Sequence, residues 1–127
     1  MLTSTSLMNT YSLFNPMSAT EIINLNDHRT PGARVFTGRP RGEEVRLKSH
    51  IDEVEARAEH VTVRIPADTI TINPSFLEEW LRFVVRKLGA ARFREKFRFE
   101  TLGRYDISEN LDLAIENILR NSNALVR

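Results

Sequence analysis

"TITINPSFLEEWL", residues 69–81, passes from one backbone period to another. Ile70 and Ile72 alternate with Thr69 and Thr71, the two-residue period of a half-buried strand. Pro74 breaks that run, and from Phe76 onward Phe76, Leu77, Trp80, Leu81, Val84, Val85 and Leu88 fall at helical spacing, with Gly89 as the stop. The spacing therefore predicts a helix over 75–88 fed by a strand. A strand running into a wide apolar helix is the unit of a layered domain in which helices pack on a sheet.

The flanking sequence repeats the alternation. "HVTVRIP" (60–66) sets Val61, Val63 and Ile65 against Thr62 and Arg64, and ends at Pro66. After a short turn at "FREKF", "FRFET" reads as a strand with Phe97 and Phe99 on one face. "DISENLDLAIENILR" closes with a helix over 108–121 whose core face is Leu111, Ile115, Ile118 and Leu119. On the N-terminal side, "EIINLND" (21–27) and "ARVFTG" (33–38) read as strands joined by the turn "HRTPG", a hairpin. A surface helix over 43–58 follows, with Leu47, Ile51, Val54 and Ala58 inward and Arg46, Lys48, Asp52, Glu53 and Arg57 outward. The order ββ-α-β-α-β-α predicts an α/β fold: a single-domain two-layer sandwich, a mixed four- or five-stranded sheet with about three helices. Three helices cover one face of such a sheet, so the other face needs polar residues, a hairpin or a partner.

The chain of 127 residues suits one domain. Residues 1–18 are rich in Ser, Thr and Asn, uncharged and without either period, which reads as a poorly ordered arm ahead of a domain over 19–127, with Met1 and Met17 both candidate starts. With 41% hydrophobic and 28% charged residues the composition is that of a folded protein, and the net charge of +1 provides no whole-molecule field for nucleic acid or anionic lipid. There is no cysteine, which removes thiol catalysis and disulfides. Neither a secretory leader nor a membrane span is legible, so a cytoplasmic location is expected.

No catalytic constellation, cofactor fingerprint or metal motif is legible. His28, His50 and His60 are isolated, the adjacent carboxylates 43/44, 52/53 and 78/79 do not converge on one atom, and no G-x-S-x-G elbow occurs. "RPRG" (39–42) places Arg39 and Arg41 near a helix start, a weak phosphate signal without the Lys-Ser/Thr pair of a P-loop. Across the basic segment 82–98, Arg82, Arg86, Lys87, Arg92, Arg94, Lys96 and Arg98 interleave with Phe83, Phe93, Phe97 and Phe99. That pattern can bind a single-stranded nucleic acid by charge and stacking, or an acidic protein through Arg86, Lys87 and Arg94. The aromatic spacing also suits a core.

Ser75 has two readings. If Asn73 caps the helix, Pro74 takes the first helical position and Ser75 stays free. If Ser75 is the cap, Glu78 completes an S-x-x-E box and Ser75→Ala loses roughly 0.5–2 kcal/mol.

The segments "VFTGRPRGEEVR", "VTVRIP" and "ITINPSFLEEWLRFVVRKLGAARFREKFRFETL" resemble the STAS-like family of small bacterial proteins, related to the STAS domains of anti-sigma-factor antagonists, over residues 33–120. The resemblance implies a non-enzymatic regulatory module that binds a protein partner, a GHKL-type ATPase or kinase, and is compatible with a homodimer. It lays the antagonists' phosphorylated serine on Ser75, with Asn73, Pro74 and Phe76 standing where that motif has Asp, Ser or Thr, and Gly. Asn73, Ser75, Glu78, Arg39 and Arg41 are then the candidate partner contacts at this helix edge.

Overall fold

The structure, a computed structural model, describes residues 18–126, with side chains over 19–121. The expected N-terminal arm lies outside the described residues, except that Ser18 opens the first strand. In chain order the elements are β1 (Ser18–Asn24), a 3-10 turn (Leu25–His28), β2 (Val35–Phe36), α1 (Arg39–Ser49), α2 (Ile51–Arg57), β3 (Ala58–Ile65), β4 (Thr71–Ile72), α3 (Pro74–Lys96), β5 (Phe97–Thr101) and α4 (Ser108–Val126). The α/β architecture is as the alternation predicts.

The pairing differs in detail from one mixed sheet. β1, β3 and β5 form a parallel three-stranded sheet with β3 in the centre, and β2 and β4 form a separate parallel pair. The expected hairpin of the first two strands is therefore not formed. β1 lies along β3, with Ile23 opposite Val63, because burying Ile23 and Leu25 needs the apolar face that only β3 and its helices present. The chain turns away at Asn24, whose Oδ1 accepts from the Asn26 backbone N–H at 3.0 Å.

The period of two sorts the three-stranded sheet. Ile23, Val61, Val63, Ile65 and Phe97 are buried on one side. Their neighbours Ile22, Thr62, Arg64, Arg98 and Glu100 line the other, where Arg64 pairs with Glu100 at 3.1 Å. The outer face is thus largely polar, one of the three solutions expected for it.

The core closes with the α3 stripe: Phe76, Leu77, Trp80, Leu81, Val84, Val85 and Leu88 are all buried, as their spacing predicts. Each such side chain contributes about 1.5–3 kcal/mol relative to exposure. Gly89 interrupts α3 at φ 79°, a left-handed conformation that a residue with a Cβ rarely adopts, and the helix resumes over 90–96 where only a short turn is expected. α4 presents Leu111, Ala114, Ile115 and Ile118 to the core.

The helix expected over 43–58 is two helices. His50 adopts φ 55°, ends α1 and starts α2, and this single left-handed residue changes the phase of the apolar face. Before it Gly42, Val45 and Ser49 are buried; after it Ile51, Val54 and Glu55 are. Leu47, inward in an unbroken helix, is therefore exposed. No described helix is long and apolar enough to cross a membrane.

Candidate functional site

The parallel pair β2–β4 delivers two helix starts to one place. Phe36 leads through Thr37 and Gly38 into α1, and Ile72 leads through Asn73 into α3. The region beyond the carboxyl ends of parallel strands is where α/β folds place their ligand-binding turns. The Asn73 backbone N–H donates to the Phe36 carbonyl at 2.8 Å, so the two turns are tied together. From the other side the Ile72 carbonyl accepts from Tyr105 Oη at 3.2 Å and from Asn110 Nδ2 at 2.9 Å, which anchors the β5–α4 loop beneath the start of α3.

At that start Asn73 is the cap. Its backbone is extended, and its Oδ1 accepts both the Ser75 backbone N–H at 2.9 Å and the Ser75 hydroxyl at 2.8 Å. Pro74 occupies the first turn, where its missing N–H is not needed. Of the two readings of this turn, the S-x-x-E box is therefore not formed. Glu78 cannot return a bond to Ser75 because it points into the protein: its side chain is 8% exposed, with Oε1 on Arg39 Nη2 at 2.9 Å and Oε2 on Asn117 Nδ2 at 2.8 Å. A stability consequence follows. Asn73→Ala is expected to cost about 1 kcal/mol, whereas Ser75→Ala stays within about 0.5 kcal/mol. Urea unfolding of the two variants side by side checks the order; a larger loss at Ser75 would return the cap to that residue.

The remaining candidates separate into three environments. Arg39 reaches across from α1 to Glu78 and, at 3.7 Å, to Glu79. Arg41 turns the other way, to Glu44 at 2.8 Å and to Thr30 Oγ1 at 2.7 Å, so the two arginines of "RPRG" do not converge on one ligand. The glycine of that motif is a packing residue: a Cβ on Gly42 would lie 2.4 Å from the Phe76 carbonyl oxygen.

The basic segment 82–98 is largely paired. Arg82 bonds Glu79, Arg94 pairs with Asp112 at 2.9 Å, and Lys87 and Lys96 converge on the buried carboxylate of Glu55 at 2.8 and 2.9 Å. Lys87 is thus a structural residue. Phe93 and Phe97 stack on each other at 4.6 Å inside the core, and Phe99 packs on Phe93 at 6.2 Å, so these rings are not free to stack with bases. Phe83 is the exposed exception, covered on one face by the Arg46 guanidinium at 4.6 Å.

Glu55 is the buried charge that pattern reading misses, since "IDEVEAR" looks like a solvated acidic face. Burial works to raise its pKa, but the bonds from Lys87 and Lys96 outweigh burial and hold the carboxyl below its usual range. No group of three or more His, Asp or Glu side chains placed to hold a metal occurs among the described residues.

Comparison of the chain with family models, with curated proteins and with solved structures finds no match.

Proposed function

We propose that the chain is a cytoplasmic, non-enzymatic regulatory module of STAS-like type. It docks on a protein partner, a GHKL-type ATPase or kinase, through the edge formed by Asn73 and Ser75 at the start of α3 with Arg39 beside it. One observation carries this reading: Asn73 does the capping, so the half-buried Ser75 hydroxyl is not required by the helix and is held only by an exchangeable bond to Asn73. A phosphate there would meet the positive end of the α3 dipole. Like-charge repulsion from Glu78 is reduced, because both of its oxygens are engaged by Arg39 and Asn117.

The test pairs two substitutions against candidate GHKL-type partners. Ser75→Ala should bind as the wild type does, and Ser75→Asp should bind at least about tenfold more weakly or more tightly, because only the carboxylate brings charge to the helix start. Incubation with ATP and the partner should place phosphate on Ser75. Equal binding by all three proteins, with no phosphate on Ser75, would sink the proposal.

A further inference from the structure

On the flank of the molecule where α1, α3 and α4 meet, Arg39, Glu78, Arg82, Arg86, Ile118 and Asn121 enclose a recess of about 80 Å³. Its charges do not balance. Glu78 is taken by Arg39 and Asn117, and Glu79 by Arg82, with a longer contact to Arg39. Those pairs leave the positive charge of Arg86 in excess. No N–H of the Arg86 guanidinium has an acceptor among the described residues, and its Nε is buried. Burying a charged donor without an acceptor is costly, and native proteins as a rule provide one from the protein, water or an ion.

The neighbours make the excess worse. Burial first, then the repulsion of Arg86, Arg39 and Arg46, weakens the hold of the Arg82 guanidinium on its proton relative to a free arginine. Three guanidiniums around one small recess, with two carboxylates already engaged, therefore call for a compact anion. The apolar flank of Ile118 and the amide of Asn121 limit what else the recess can accept.

Size narrows the class. A water needs about 10–15 Å³ of such space and a drug-sized or nucleotide-sized ligand about 300 Å³ or more, so about 80 Å³ suits an ion of a few heavy atoms. Arginine forks match the oxygens of phosphate in a way that chloride cannot reproduce. We propose that the Arg39–Arg82–Arg86 recess binds a small tetrahedral oxyanion, phosphate itself or the phosphate end of a phosphomonoester, with Arg86 as its principal donor. The recess shares Arg39 with the proposed docking edge, but the proposal rests on Arg86 and does not depend on the regulatory reading.

The experiment titrates the full chain with inorganic phosphate, with a phosphomonoester such as phenyl phosphate and, at equal ionic strength, with sodium chloride. It follows the arginine Nε–H signals by NMR and the unfolding temperature. Phosphate should shift the Arg86 Nε–H signal and raise the unfolding temperature where chloride does neither. Arg86→Gln should weaken phosphate binding at least about tenfold. Arg98→Gln, on the exposed outer face of the sheet, should leave it unchanged. Arg86→Lys keeps the charge and loses the fork, so weakened binding in this variant supports the site even if Arg86→Gln does not fold. Equal affinity for phosphate and its ester identifies the free ion as sufficient, and tighter binding of the ester identifies a larger phosphorylated ligand. An Arg86 signal that moves no more with phosphate than with chloride, or undiminished binding by both Arg86 variants, would overturn the proposal.

Discussion

Glu55→Ala is expected to lower the unfolding free energy by about 3 kcal/mol, the low end of the range for breaking a buried ion pair. The Glu55 side chain is 3% exposed and bonds Lys87 at 2.8 Å and Lys96 at 2.9 Å; Lys96 also donates to the Glu55 carbonyl at 2.7 Å. Removing the carboxylate leaves Lys96, itself 17% exposed, with a buried charge and only the carbonyl to hold it, whereas Lys87 at 58% exposure returns to water. That partial release keeps the cost from the upper end of the range. The three residues also tie α2 to both halves of α3 across the break at Gly89, so their loss weakens the join between helices.

The same carboxylate predicts an acid limb. Its folded pKa is depressed, so its contribution is fully present above the unfolded value of about 4.3 and is lost as pH falls through the lower folded value. Chemical denaturation of wild type and Glu55→Gln between pH 7 and pH 3 is the measurement. The difference in stability between the two should shrink in acid, and a difference independent of pH would mean that the Glu55 charge contributes nothing.

Gly42→Val should be the most damaging single change in α1. A Cβ at residue 42 would sit 2.4 Å from the Phe76 carbonyl oxygen and 2.9 Å from Glu79 Cβ, and neither can retreat: one is helix backbone and the other is fixed to it. α1 would have to move off α3, opening the contacts of Val45 and Trp80 and stretching the bond from Trp80 Nε1 to Ser49 Oγ, now 3.2 Å. Overpacking costs typically 1–3 kcal/mol, and with two γ-methyl groups added we expect about 3 kcal/mol or more, with Gly42→Ala smaller. The unfolding midpoint should fall in the order wild type, Gly42→Ala, Gly42→Val. A Gly42→Val protein as stable as wild type would show that the α1–α3 contact is looser than these distances require.

Gly42 also illustrates how a motif can mislead. In "RPRG" a glycine beside two arginines near a helix start resembles a phosphate loop, yet the glycine serves helix packing and the arginines diverge to Glu78 and Glu44. The anion chemistry that the structure does support lies at Arg82 and Arg86, spaced one turn apart in α3, joined by Arg39 from "RPRG" itself. The signal available in the sequence was the basic stripe of 82–98, but nothing in it says which members are neutralised. Glu79, Glu55 and Asp112 select Arg82, Lys87, Lys96 and Arg94; of Arg86, Arg92 and Arg98, left without a partner among the described residues, it is Arg86 that lines the recess.

The elements legible from sequence are those whose signal is local: the apolar stripe of α3, the alternation of β3 and β5, the core face of α4 and the break at Gly89, though not the resumption of the helix beyond it. Periodicity decides these because a side chain's direction follows from its own backbone and burial follows from direction. Tertiary structure alone decided that β1 lies parallel to β3 instead of folding back on β2, that His50 rephases α1 and α2, and that Glu55 and Glu78 are buried. The two burials depend on partners remote in the chain, Lys87 and Lys96 for Glu55, Arg39 and Asn117 for Glu78. A carboxylate in water and a carboxylate inside a protein read alike in a sequence, because the difference lies in the cations that folding brings to it.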